Sequence, residues 1–145
     1  MRIGDVCSRD VHHVTAEAPL LDAVRDMHRH HVGAVIVVDR AGASARPVGI
    51  VTDRDVMRAE ITQRADVFTL TVGDVMSVDL LTLSESSELA DGIERMRRRG
   101  VRRAPVLDPA GVMLGVVTLD DLLPAVAGQL DALARLPGRQ ARHEP

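Results

Sequence analysis

Apolar positions along this chain follow two periods, and each pattern occurs twice. Leu20, Val24, Met27 and His31 fall at three-to-four residue spacing, and so do Leu89, Ile93, Met96 and Gly100. Each set predicts a helix with one buried face. Each helix is followed by two short runs, nearly continuous in Val and Ile and split by a turn: 34–39 with 48–52, and 104–108 with 114–118. Such runs suit strands covered on both faces. Short strands are predicted at 12–15 and 80–83, each behind a lead-in segment (3–6; 72–76). Second helices are predicted just after Thr52 and Thr118, with Pro124 in the first turn of the latter, where a missing N–H is tolerated. From Gly128 a helical stretch carries Leu130, Leu133 and Leu136, and PGRQARHEP beyond it is expected to fray.

The two sets of elements are copies. IGDVCS at 3–8 returns as VGDVMS at 72–77, and GIVTDRDVM at 49–57 returns as GVVTLDDLL at 115–123. Met27 matches Met96, Val32 matches Val101 and Asp39 matches Asp108, all at an offset of 69. The offset then drops to 66, because AGASARPVG is three residues longer than AGVMLG. A register broken once, at a Gly/Ala/Pro-rich turn, marks a duplicated supersecondary unit. The division is 1–62 for the first copy, 63–71 for a polar linker, 72–127 for the second copy, and 128–145 for a helical extension and tail. Two copies of one unit can close over a shared cleft and offer matching residues from both sides.

Composition narrows the chemistry. At 145 residues and 46% apolar, the chain forms one domain or two half-domains sharing a core. Phe68 is the only aromatic, so a flat ligand is expected to be gripped by aliphatic side chains and backbone rather than by aromatic stacking. All 18 basic residues are arginine, the better residue for phosphate. A net charge of −3 gives no general attraction to nucleic acid or to an anionic membrane. Cys7 is the sole cysteine, expected to act as a small buried hydrophobe; there is no internal disulfide and no CxxC zinc site. No apolar run approaches the ~18 residues of a membrane span, and MRIGDVCSRD does not resemble a signal peptide, so a cytoplasmic location is expected.

The candidate chemistry lies at two turns. Thr52-Asp-Arg-Asp55 and Thr118-Leu-Asp-Asp121 sit where a strand becomes a helix. Thr followed three residues later by Asp can be a capping box. The same carboxylate, if it faces a cleft, can accept hydrogen bonds from a vicinal diol such as that of ribose. The two readings are compatible. An anionic ligand would then need arginine, available in ERMRRRGVRR at 94–103. Arg95 to Arg99 read as a solvated helix face, and with no aromatic to stack bases the run argues against nucleic-acid binding. Arg102 and Arg103 differ, because they lead into a strand. His28, His30 and His31 cluster, but without a carboxylate ligand fixed nearby they predict no metal site. No nucleophile or acid/base pair stands out, so no catalysis is expected.

The element order, GIVTDRD, GVVTLDD and VRRAPVLD together resemble a tandem pair of CBS (cystathionine-β-synthase) domains over residues 3–127. The resemblance implies an α+β fold of two intertwined β-α-β-β-α repeats about a pseudo-two-fold axis, with two related clefts. It also implies that the Thr and Asp of each turn hold the ribose of an adenosine-containing ligand, with the base against a first strand. A basic residue of the other copy would reach the phosphates. Carried over, Thr52 and Asp55 form one site with Val11, His12 and His13 at the base and Arg102 and Arg103 at the phosphates. Thr118 and Asp121 form the other, with Asp79, Leu80 and Leu81 at the base. Because Gly33 and Ala34 stand opposite Arg102 and Arg103, and Ile36 opposite Pro105, the sites are expected to be unequal, with phosphates favoured on the Asp55 side. By the same resemblance the chain is a regulatory module for AMP, ADP, ATP, S-adenosylmethionine or NAD. It would act as a homodimer on an unidentified regulated protein. The alternative is a dimerising adaptor that binds no ligand.

Overall fold

The computed structural model describes residues 1–62 and 66–138; part of the expected linker (63–65) and the tail from 139 to 145 lie outside the described residues. The elements in chain order are α1 (Ile3–Val6), β1 (His13–Thr15), α2 (Leu20–His30), β2 (Ala34–Val38), β3 (Pro47–Thr52) and α3 (Asp53–Thr62). A 3-10 turn (Val67–Thr69) leads to the second series: α4 (Val72–Val75), β4 (Leu83–Ser84), α5 (Leu89–Arg99), β5 (Arg103–Leu107), β6 (Met113–Thr118) and α6 (Leu119–Ala134).

Each repeat makes a three-stranded sheet, β1-β2-β3 and β4-β5-β6. The first pair in each is parallel and the second antiparallel. Both antiparallel pairs carry a register shift at the matched place, Val37/Val38 and Val106/Leu107. The α+β fold of two repeats is therefore as expected, and the repeats also share this irregularity.

Helix α2 buries Leu20, Ala23 and Met27. His31 does not join that stripe. It is the C-cap in the left-handed region (φ 53°) and is exposed; its N–H bonds to the carbonyls of His28 and Met27. Gly100 takes the same cap in α5 (φ 65°), which identifies the period's fourth position as a helix end in both copies. Three other expectations change. Pro124 lies beyond the first turn of α6, within the helix, so the carbonyl four residues back receives no bond from it. α6 also runs through Gly128 to Ala134 without a break, and β4 starts at Leu83, later than expected.

The lead-in segments exchange places. Fully buried Ile3 belongs to the core of the second repeat, with Leu81, Leu83, Leu89, Met96 and Val106. Fully buried Val72 belongs to the core of the first repeat, with Leu20, Met27, Val35 and Val51. Backbone bonds fix the crossing: Ser8 and Val116 exchange N–H···O=C bonds at 2.9 Å each way, and Ile50 and Ser77 do so at 2.9 and 2.8 Å. A third cluster of Ile36, Val38, Ala45 and Val116 joins the two sheets, flanked by Val11, Ile50, Leu80 and Met113.

Gly49 and Gly115, the first letters of the repeated GIVT and GVVT, sit under these crossings. A Cβ on Gly49 would lie 2.7 Å from the Ser77 carbonyl oxygen, and one on Gly115 would press on that of Ser8. Gly115→Ala is therefore expected to destabilise by about 1–3 kcal/mol through overpacking. Gly128→Ala, with nothing near its Cβ in an exposed helix, is expected to stabilise by roughly 0.5–1 kcal/mol. Urea unfolding of the two variants checks the contrast.

Candidate functional site

Both Thr-x-x-Asp turns are capping boxes. Asp121 N–H donates to Thr118 Oγ1 (3.3 Å), while Thr118 N–H and its hydroxyl donate to Asp121 Oδ2 (2.9 and 3.1 Å). Asp55 N–H donates to Thr52 Oγ1 (3.1 Å), and Thr52 N–H to Asp55 Oδ2 (2.8 Å). In each case capping occupies one carboxylate oxygen. Asp55 Oδ1 lies 3.8 Å from the Arg58 guanidinium. Asp121 Oδ1 has no partner among the described residues, so it is available to a ligand hydroxyl.

Thr118 and Asp121 line a cavity of about 190 Å³ between the repeats. Its walls are Val11, His12, Ser8 and Asp10 from the first lead-in, Asp26 and His30 from α2, Ala34, Val35 and Ile36 from β2, and Arg103 and Val116 from the second sheet. A crevice of about 330 Å³ adjoins it through Ala34, Arg103 and Thr118, and adds Gly33, Arg102, Leu119 and Asp120. The site thus joins a mixed apolar and carboxylate chamber to an arginine-lined opening.

This grouping corrects the expected pairing. Val11 and His12 stand with Thr118 and Asp121, not with Thr52 and Asp55, because Ser8 bridges Val116 and so leads its segment along β6. Ser77 bridges Ile50, and Leu80 joins the same cluster as Ile50, so that segment runs along β3 instead. Arg103 pairs with Thr118 across β5 and β6 and lines the Asp121 cavity, while Arg102 lines the crevice that adjoins it.

Not every expected residue reaches the cleft. His13 starts β1 beside Ile36, with its Nδ1 buried and unpartnered. Leu81 is buried in the second repeat's core, and Leu80 packs between the sheets. Asp79 accepts a bond from Arg99 at 2.7 Å.

Asp10, Asp26 and His30 are residues that sequence reasoning missed. The His30 ring stacks on His12, centroids 3.5 Å apart and 16° from parallel. Imidazoles therefore supply a flat surface that the scarcity of aromatics had argued against. Asp26 and His30 are four apart on α2, a spacing that shares a helix face and was the available signal.

The arginine run behaves as an exposed helix face. Arg97 and Arg98 pair with Glu94 at 2.7 and 3.1 Å. Hydrogen bonds from Arg97, then from Arg98, hold the Glu94 carboxyl down to about 2. Cys7 is half-buried against the second core, and burial pushes its thiol up. Among the described residues no group of three or more His, Cys, Asp or Glu is arranged to hold a metal, and no helix is long and apolar enough to cross a membrane.

The family model described as CBS domain matches residues 3–62 and again 72–128. An uncharacterized protein of Methanopyrus kandleri is 29% identical over 83% of this chain, which spans 60% of that protein's length. The CBS domain-containing protein YhcV of Bacillus subtilis is 30% identical over 83% of this chain and 81% of its own. Among solved structures, an acetoin utilization protein (AcuB) from Vibrio cholerae superposes with a TM-score of 0.80 at 21% identity, covering 95% of this chain and 98% of its own. CBSX2 in complex with AMP gives 0.74 at 24% identity, over 90% and 98%. The domain pair of protein MJ0100, in complex with 5′-methylthioadenosine and S-adenosyl-L-methionine, gives 0.73 at 20%, over 89% and 98%.

Proposed function

We propose that this chain, which belongs to the CBS domain family, is a regulatory module that binds an adenosine-containing nucleotide in the Asp121 cleft. The observation that carries this reading is the unpartnered Asp121 Oδ1 beside Thr118, in a cavity that opens onto Arg102 and Arg103. Asp121 and the Thr118 hydroxyl take the ribose, Val11 and His12 border the base, and Arg102 and Arg103 receive the phosphates. The second site is built from Thr52 and Asp55 with Asp79 and Leu80, Leu81 being buried in the core. It is the weaker one, since Arg58 sits beside the free oxygen of Asp55 and Arg99 occupies Asp79. The reading has support from two relatives of the same fold, one with AMP and one with 5′-methylthioadenosine and S-adenosyl-L-methionine.

Binding between repeats biases their relative orientation, and a regulated protein reads that bias. The module has no catalysis of its own and works in the cytoplasm as a homodimer. Exposed Leu123, Val126, Leu130 and Leu133 on α6, spaced by three and four, provide the apolar seam. That seam also favours the second reading, a dimerising adaptor without a ligand. Calorimetry with AMP, ADP, ATP, S-adenosylmethionine and NAD separates the two. Heat from at least one ligand is expected. Arg102→Ala with Arg103→Ala is expected to weaken a phosphorylated ligand and flatten its salt dependence. No heat from any of the five would leave the adaptor.

A further inference from the structure

The Asp121 cleft has two ends of different character. Arg103, Thr118 and Asp121 sit at one, where the arginine crevice opens; Asp26, His30 and His12 form another part of the wall. If the first end takes ribose and phosphate, as the functional reading above requires, the second faces the base.

Asp26 is half-buried on α2, one turn before His30, and its carboxylate has no hydrogen bond or ion pair among the described residues. An ionised carboxylate only accepts hydrogen bonds. A base edge that meets it gains if it carries N–H donors and is repelled if it carries a carbonyl. Adenine presents an exocyclic amine where hypoxanthine and guanine present an oxygen. The stacked His12–His30 pair beside it gives a planar wall suited to a planar base.

The other repeat shows that this feature is particular to one cleft. At the offset of 69, Arg95 stands for Asp26 and Arg99 for His30, so α5 offers donors where α2 offers an acceptor. Arg99 spends its guanidinium on Asp79.

We propose that Asp26 is the base-specificity residue of the Asp121 cleft, accepting from the exocyclic amine of a 6-aminopurine while His12 and His30 border the ring. Affinities of the intact chain for AMP, IMP and N6,N6-dimethyl-AMP, measured by calorimetry, test this. Wild type is expected to prefer AMP over both of the others by at least about tenfold, the scale of one lost charge-assisted hydrogen bond. Asp26→Asn offers a donor and an acceptor, so the AMP-to-IMP preference is expected to fall to within about threefold. Arg95→Gln is expected to leave it unchanged. Equal binding of the three nucleotides by wild type, or an undiminished preference in Asp26→Asn, overturns the role of Asp26 while leaving nucleotide binding intact. The dimethyl comparison uses no variant and so stands whatever the substitution does to folding. Failure of all three to bind would overturn the role of Asp26, and with no heat from ADP, ATP, S-adenosylmethionine or NAD either it would overturn the functional reading as well.

Discussion

Ile3→Ala is expected to lower the stability of the whole chain by about 2–5 kcal/mol, the range for emptying a buried aliphatic site that cannot collapse. Ile3 is the third residue of the sequence and lies fully buried in the core of the opposite repeat. Gly92 of α5 leaves room for it: a Cβ there would press on the Ile3 side chain. The arm is also tied by backbone bonds, Ile3 N–H to Ser87 and Gly4 N–H to Glu85, both at 2.9 Å. Urea unfolding measures the loss, and hydrogen exchange locates it. Amides of β5 and β6 are expected to lose protection even though the substitution lies in the first copy. A loss under about 1 kcal/mol, confined to fraying of the first residues, would contradict the exchanged-arm packing.

Asp121→Ala is the substitution with the largest expected effect on ligand. It removes both the free oxygen proposed to take ribose and one member of the α6 capping box. The cap contributes about 1 kcal/mol, a tolerable loss of stability. Affinity for AMP is expected to fall at least about thirtyfold, because the carboxylate's charge-assisted bonds have no substitute. Asp55→Ala removes the equivalent cap of α3 but is expected to leave the tighter AMP site within about threefold. Parallel titrations of the two variants read this contrast. Equal losses would mean that the clefts are equivalent.

Much of the fold was legible because it is local. The three-to-four spacing of Leu20 and Met27, the Val-rich runs, and the repeated Thr-x-x-Asp each reflect interactions within a few residues of themselves. The departures have physical reasons. His31 continues the helical period numerically, yet its backbone turns left-handed; the match to Gly100 was the legible signal. The arm exchange was hidden by the repeat itself. IGDV and VGDV pack alike whether each covers its own repeat or the other, so matching residues cannot say which. The choice depends on contacts across more than half of the chain, such as Gly4 with Glu85. The glycines of GIVT and GVVT carried a trace of it, since they stand where another backbone crosses close by.

The site divides the same way. Thr118 and Asp121 were readable from one turn of chain, and Arg102 and Arg103 from their mismatch with Gly33 and Ala34. Which lead-in stands against which turn was not readable, because the arm exchange decides it. Asp26 and His30 become visible only when α2 is seen against that wall, opposite His12.

In the proposed function one cleft combines the base wall of the first repeat with the ribose turn of the second. Titrating the isotopically labelled chain with AMP and following its amide resonances tests this most directly. The expected result is that Val11, His12, Thr118, Asp121 and Arg103 shift together, with one apparent affinity. Shifts of Val11 and His12 that track Thr52 and Asp55 instead, with Thr118 and Asp121 silent, would contradict it.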